Sequence, residues 1–270
     1  MPRAYWKGNL RLSLVNCLIE LFPATTQAEK THFHQINTKT GNRLRQEMVD
    51  EGTGHRVDKE HKGRGYELSK GKYVPITEKE LKAVQLDSTH IVDIEGFVPK
   101  DEIDKRYLDK PYYIAPGDKD GAEAFVVIRN AMEDRDRVAL AKIVMGHREH
   151  IIMIEPLGKG LLGTTLRFEY EVRSEKSYFS HIPSPRITHD MVEMASRILD
   201  SKATKFDPRK FKDEYETALK KLVRRKAKGR TIEVEEPPKE DSNVINLMDA
   251  LRKSIKSKRR RTKASPRKAA

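Results

Sequence analysis

Apolar and polar positions divide the chain into two kinds of segment. Over the first two-thirds the period is two. Leu10-Arg11-Leu12-Ser13-Leu14 alternates, and Leu166, Phe168, Tyr170 and Val172 alternate with Arg167, Glu169 and Glu171 between them. Alternation of this kind predicts half-buried strands. His90 to Val98, Val138 to Met145 and Ile151 to Ile154 are shorter strand candidates. Gly146-His147-Arg148-Glu149 and Pro156 to Gly160 are the turn signals between and after the last two. Three strands in succession with short turns predict an antiparallel meander, because a parallel arrangement needs a long crossover. Thr77-Glu78-Lys79-Glu80 has the form of a capping box, and Ala124, Phe125, Ile128, Ala131 and Met132 mark one helical face.

Past about residue 188 the period changes to that of helices. Met191, Met194, Ala195, Ile198 and Leu199 form a stripe behind a Thr188 cap. A second helix is expected from Asp207 as cap and Pro208 in the first turn to Gly229 as stop. Its expected buried stripe is Phe211, Tyr215, Ala218, Leu219, Leu222 and Val223, with Lys220, Lys221, Arg224, Arg225 and Lys226 favourably placed at its C-terminal end. Thr231 to Asp241 reads as an extended acidic linker. Val244, Leu247, Met248, Leu251 and Ile255 give a third stripe, the pattern of a helix that docks on a partner or folds back. Lys256 to Lys268 has no apolar periodicity and is expected to be disordered. No internal repeat is visible.

Composition narrows the class. Hydrophobic residues are 37% and charged residues 35% of 270, enough apolar content for a packed core beneath a very polar surface. No apolar run approaches the roughly 20 residues of a membrane span, and the opening Met1 to Lys7 lacks a secretory apolar stretch. The lone cysteine, Cys17, excludes an internal disulfide framework and thiolate-rich zinc sites. A soluble chain in a reducing compartment is expected.

The net charge of +13 is unevenly placed. Residues 1–200 carry 31 basic and 31 acidic side chains; residues 201–230 have a net of +8, residues 231–250 a net of −5 and residues 251–270 a net of +10. The body is neutral and the C-terminal quarter basic. Lys256, Lys258, Arg259, Arg260, Arg261, Lys263, Arg267 and Lys268 therefore form the expected nucleic-acid-binding tail, since phosphate contacts release counterions. No base-reading helix, zinc finger or stacking motif accompanies them, so sequence-independent binding is expected.

Other motifs carry less. Gly158-Lys159-Gly160-Leu161-Leu162-Gly163 matches the dinucleotide fingerprint, but an alternating strand follows where a helix N-terminus would have to hold the phosphates. It reads as a turn. His32/His34 and His147/His150 lack the spacing and the third ligand of a zinc site. No catalytic arrangement stands out, and neither a cofactor nor a metal is expected.

Ordered blocks of residues then suggest a family. They are Arg3-Ala4-Tyr5-Trp6-Lys7-Gly8, Ser13-Leu14-Val15-Asn16, Phe33-His34-Gln35, Gly65-Tyr66-Glu67, Lys72-Tyr73-Val74, Asp87-Ser88-Thr89 and Phe97-Val98-Pro99 with Ile103-Asp104. Asp109-Lys110-Pro111-Tyr112-Tyr113-Ile114-Ala115-Pro116 is the most specific, and Arg148-Glu149-His150 and Leu247-Met248-Asp249-Ala250-Leu251 complete the series. Over roughly residues 1–255 the chain resembles the bacterial Ku proteins.

That resemblance implies an α+β fold: an antiparallel β-barrel core with an extended ring-forming arm, then C-terminal helices and a disordered basic tail. It implies a non-catalytic homodimeric ring around double-stranded DNA ends, recruitment of DNA ligase D in non-homologous end joining, and a cytoplasmic, nucleoid-associated location. The expected segments are 1–187 for barrel and arm, 188–230 for helices, 231–241 for the linker, 242–256 for the docking helix and 257–270 for the tail. Lys7, Arg43, Arg45, Lys62 and Arg64 are the expected DNA-facing residues of the core, and Leu247, Met248 and Leu251 the expected partner contacts. Some members carry C-x-x-C in the arm where this chain has Asp50-Glu51-Gly52-Thr53, so no metal is expected there. A chromatin-like protein binding mainly through its tail is the alternative.

Overall fold

The alternation at Leu10 to Leu14 belongs to a hairpin. β1 (Trp6–Leu12) turns at Ser13 and Leu14 into β2 (Val15–Pro23), with Ser13 in the left-handed region at φ 55°. Trp6 and Leu10 on one strand and Cys17, Ile19 and Leu21 on the other face inward and are buried. A computed structural model describes residues 3–85 and 90–229 of this chain. The linker, the segment 242–256 and the basic tail lie outside the described residues, as do Leu247, Met248, Leu251 and the Asp87-Ser88-Thr89 block.

After Pro23 the chain leaves the hairpin for 63 described residues before returning. Within this excursion are β3 (Arg64–Ser69), β4 (Lys72–Ile76) and α1 (Glu78–Val84), the first two paired antiparallel as a separate sheet. The capping box at α1 is complete: the Thr77 N–H donates to Glu80 Oε2 at 2.8 Å and the Glu80 N–H to Thr77 Oγ1 at 3.2 Å.

β5 (Ile91–Pro99) then runs parallel to β1, pairing Asn9 with Ile91, Leu10 with Val92 and Arg11 with Asp93. β6 (Leu108–Pro116), α2 (Ala122–Asp134), β7 (Arg137–Met145), β8 (Arg148–Leu157) and β9 (Gly160–Leu166) complete the set. The strands close a barrel in the order β1-β2-β6-β9-β8-β7-β5, and the expected meander is its β7-β8-β9 part. Closure removes the unpaired edges an open sheet would present. Phe125, Ile128 and Met132 on one face of α2 join the cluster of buried strand residues, which includes Leu10, Ile19, Ile114, Ile143, Ile152, Ile154 and Leu161.

Two expectations are corrected. The strand expected over 166–172 ends at Leu166, and Glu169–Glu171 is a 3-10 turn. Leu166 is the last residue of β9 with partners, Ile151 on β8 and Leu108 on β6. Beyond it no described strand remains to pair with, so the alternating aromatics stack on each other instead, Phe168 and Tyr170 lying 5.6 Å apart and 7° from parallel. The last barrel strand begins inside the glycine motif. Gly158 forms the turn at φ 56°, whereas Gly160 and Gly163 belong to β9. A Cβ on Gly163 would stand 2.8 Å from the Cδ1 atoms of both Ile114 and Ile152, so this glycine is required by barrel packing.

The second correction concerns the helices of the other compact unit, Glu175–Ala270, which is distinct from Met1–Ser174. α3 (Lys176–Phe179) is one turn, and α4 (His189–Lys202) starts at Thr188, whose Oγ1 accepts the Met191 N–H. α5 (Glu214–Ala227) starts at Asp213, whose Oδ1 accepts the Glu216 N–H at 2.8 Å. Asp207 caps only the 3-10 turn Pro208–Lys210. Two acceptors suited to capping lie six residues apart, and the one nearer to the apolar stripe wins. Phe211 and Tyr215 are 74% exposed, and none of α3, α4 and α5 contributes a buried residue. Among the described residues these helices have no sheet of their own unit to lie on, so the stripe expected to be buried is open.

Candidate nucleic-acid interface

Between Pro23 and Ile91 no described residue is buried. This arm nonetheless has regular structure, beginning with two turns of the same design. In the first, the Asn37 N–H donates to the Asn42 carbonyl and the Gly41 N–H to the Asn37 carbonyl, both at 2.8 Å. In the second, the Asp50 N–H donates to the His55 carbonyl and the Gly54 N–H to the Asp50 carbonyl, again at 2.8 Å. Bridges Ile36 to Arg43 and Val49 to Arg56 close them, 13 positions apart, and the glycines sit at φ 73° and 69°. The arm thus contains a short repeat that composition conceals, because the two copies share only an Asn or Asp at the start, a threonine, the glycine after it and the closing arginine. The signal is the spacing Asx-x-x-Thr-Gly, a chain reversal that Asn and Asp side chains favour.

Asp50 also governs the stretch Asp50-Glu51-Gly52-Thr53. Its Oδ1 accepts from the Gly52 N–H at 2.9 Å, the Thr53 N–H at 2.8 Å and Thr53 Oγ1 at 3.1 Å. These donors hold the carboxyl below its ordinary range, the Thr53 amide contributing most. Hydrogen bonds close the turn. Among the described residues no group of three or more His, Cys, Asp and Glu side chains could hold a metal ion, and His32 and His34 are exposed.

The expected core contacts fall in three settings. Arg43 closes the first turn opposite Ile36, and Arg45 follows two residues on, both exposed. Lys62 ends the 3-10 turn Lys59–His61, and Arg64 opens β3 while pairing with Glu78 of α1 at 3.4 Å. Lys7 lies apart from the arm, on β1, where its ammonium meets Glu20 of β2 at 2.5 Å. Arg43, Arg45 and Lys62 have no carboxylate partner among the described residues, so their charge is open to an anion. The sequence reading passed over Lys39, exposed within the first turn, and Arg56, which closes the second and pairs with Glu47 at 3.1 Å. The thirteen-residue repeat would have pointed to Arg56, the counterpart of Arg43, but not to Lys39, whose counterpart is Gly52.

Apolar side chains share this arm. Phe33, Met48, Val49, Tyr66, Leu68 and Tyr73 are each more than 60% exposed. A two-stranded hairpin such as β3-β4 is only marginally stable alone in water. An arm of this kind therefore needs a covering surface.

A closed seven-strand barrel interrupted by a long exposed arm places the chain in a recognisable class. The family model described as the Ku70/Ku80 beta-barrel domain matches residues 11–194. A protein of Bradyrhizobium sp. (strain ORS 278), named non-homologous end joining protein Ku, is 60% identical over 254 residues, covering 94% of this chain and 87% of the relative. Proteins of the same name from Cereibacter sphaeroides and Acidobacterium capsulatum are 41% and 39% identical, covering 94% and 98% of this chain and 96% and 88% of the relatives. The chain belongs to the Ku family.

Proposed function

We propose that the protein is a non-catalytic homodimeric ring that binds double-stranded DNA ends independently of sequence, and that it recruits DNA ligase D in non-homologous end joining. The observation that carries this reading is the arm: a stretch of 63 described residues with none buried, bearing unpaired cations beside uncovered apolar side chains. A second copy of the chain supplies the cover the apolar residues lack, and the cations of the two arms line the opening. Phosphate contacts position such a ring without reading bases. A neutral body suits this arrangement, because only the lining meets phosphate.

In this reading Arg43, Arg45, Lys62 and Arg64 face the duplex, Lys7 stands at the barrel end of the same surface, and the tail from Lys256 to Lys268 adds affinity. Leu247, Met248 and Leu251 contact the ligase. The segments follow the boundaries given above, and the working place is the bacterial cytoplasm at the nucleoid. Gel-shift titration of a linear duplex and the same duplex as a covalently closed circle, at moderate salt, tests the ring. Preference for the linear form is expected, and equal binding refutes threading onto ends. Removing residues 251–270 separates this reading from tail-driven chromatin-like binding, because only the ring retains a preference for ends.

A further inference from the structure

A cleft of about 350 Å³ opens where the β7-β8 turn, the end of β9 and the 3-10 turn Glu169–Glu171 meet. That is the lower part of the usual size range for small-molecule sites, roughly 300–1,000 Å³. Two features set it apart. The first is the aromatic stack, with Phe168 half-buried and Tyr170 79% exposed, so that the outer ring extends a parallel pile into solvent. The second is the state of the charges. Three carboxylates line the cleft and two are engaged, Asp109 with Arg167 at 2.7 Å and Glu171 with the Phe168 N–H at 2.8 Å; the third, Glu149, acts on the Lys142 ammonium, which pairs with Glu95 at 2.9 Å and whose pKa is raised first by Glu95 and then by Glu149. Arg148, His147 and His150 line the same cleft and have no ion pair among the described residues. His147 is held at φ 68° in the turn, a conformation uncommon for a side-chain-bearing residue.

We propose that this cleft binds an unpaired nucleotide, its base stacked on Tyr170 and its phosphate held by Arg148 with His147 and His150. A parallel aromatic stack accepts the π-face of any base, and an unengaged guanidinium supplies two donors to a phosphate. Resting on the end-binding reading above, the inference makes the cleft a seat for the single-stranded overhang of a broken duplex. Sequence preference is not expected, because stacking tolerates every base.

The test measures fluorescence anisotropy of the full chain on a blunt duplex and on the same duplex with short 5′ or 3′ oligo-dT overhangs, with oligo-dT and free dTMP as competitors. The intact chain is expected to hold at least one overhang duplex more tightly than the blunt one. Tyr170→Ala should weaken overhang binding about tenfold, within the range for loss of one base–aromatic stack, while leaving the blunt duplex unchanged. Tyr170→Phe should retain the preference and Arg148→Gln should reduce it. Equal affinity of the intact chain for blunt and overhang duplexes overturns the inference and leaves end binding standing. An equal loss on both duplexes with Tyr170→Ala also overturns it, as does competition by dTMP as strong as that by oligo-dT, which assigns the cleft to a free nucleotide. Failure to distinguish linear from circular DNA strikes the end-binding reading itself.

Discussion

Gly163→Ala is the substitution that most directly tests what the glycine motif does. The added Cβ meets Ile114 Cδ1 and Ile152 Cδ1, each at 2.8 Å, where carbon atoms prefer about 3.5–4.0 Å. Both isoleucines are essentially inaccessible, at 2% and 0% exposure, so neither can swing away without disturbing the barrel. Overpacking of this kind costs about 1–3 kcal/mol. Replacing a strand glycine recovers about 0.5–1 kcal/mol of chain entropy. The net expectation is a loss of about 1–2 kcal/mol, or roughly 2–8 °C in Tm for a domain of this size. Urea denaturation followed by Trp6 fluorescence reads it, since Trp6 is the one tryptophan and is buried in the barrel. Ile152→Val removes one of the two crowded atoms. Alone it costs about 0.5–1.5 kcal/mol, but combined with Gly163→Ala it should cost less or restore stability. Strict additivity of the two substitutions refutes the packing account, as does a Gly163→Ala protein as stable as the parent. A phosphate-binding role for the motif predicts loss of nucleotide affinity instead, with stability unchanged.

Three further outcomes are expected. Trp6→Phe removes the Nε1–H donor to the Val144 carbonyl at 3.0 Å and should destabilise the barrel by about 1–2 kcal/mol, read by circular dichroism during urea unfolding. Thr77→Ala should destabilise α1 by about 1 kcal/mol, seen as faster hydrogen exchange confined to Glu78–Val84. Thr77 holds the Glu80 carboxyl below its ordinary range through its N–H first and its hydroxyl second, so this support is present above the unfolded-state pKa and lost as pH falls through the lower folded value. Protection of α1 amides relative to their intrinsic exchange rate that stays constant on acidification through that window contradicts the capping box. Deleting residues 251–270, which carry ten basic side chains and no acidic ones, should flatten the dependence of log affinity on log salt by about 0.9 for each phosphate the tail neutralises. An unchanged slope in a DNA titration shows that the tail does not touch DNA.

The barrel was legible in the sequence where strands follow one another closely. The β7-β8 turn at Gly146-His147 and the α2 face from Ala124 to Met132 stand as periodicity placed them, because neighbours in the chain are also neighbours in space. β2 and β6 were not picked out, since β6 and its partners lie far apart in the chain and Lys110-Pro111-Tyr112-Tyr113 has no clean alternation. The misplaced strand at 166–172 shows the limit of a local pattern: alternation states what a strand would look like, and a strand also needs a neighbour. Candidate DNA contacts divide similarly. Charge asymmetry singled out the tail, whereas the cations of the arm disappear within a neutral body and become distinct only when Lys7 and Arg64 are seen to have carboxylate partners and Arg43, Arg45 and Lys62 are not.

The parallel pairing of β1 with β5 has a consequence in time. Strand β5 begins 68 residues after β2 ends, with the whole arm between them. At about 5–20 residues per second of synthesis, the first hairpin waits about 3–14 s for its parallel neighbour. Through that interval Trp6, Leu10, Ile19 and Leu21 belong to a lone two-stranded ribbon, which is unable to shelter them. Closing the seam also gathers a long loop before its three residue pairs can form, a slow kind of step. The arm therefore acts as a clock on the newborn chain: its length sets how long an open barrel stays exposed to aggregation before its first strand finds its last neighbour.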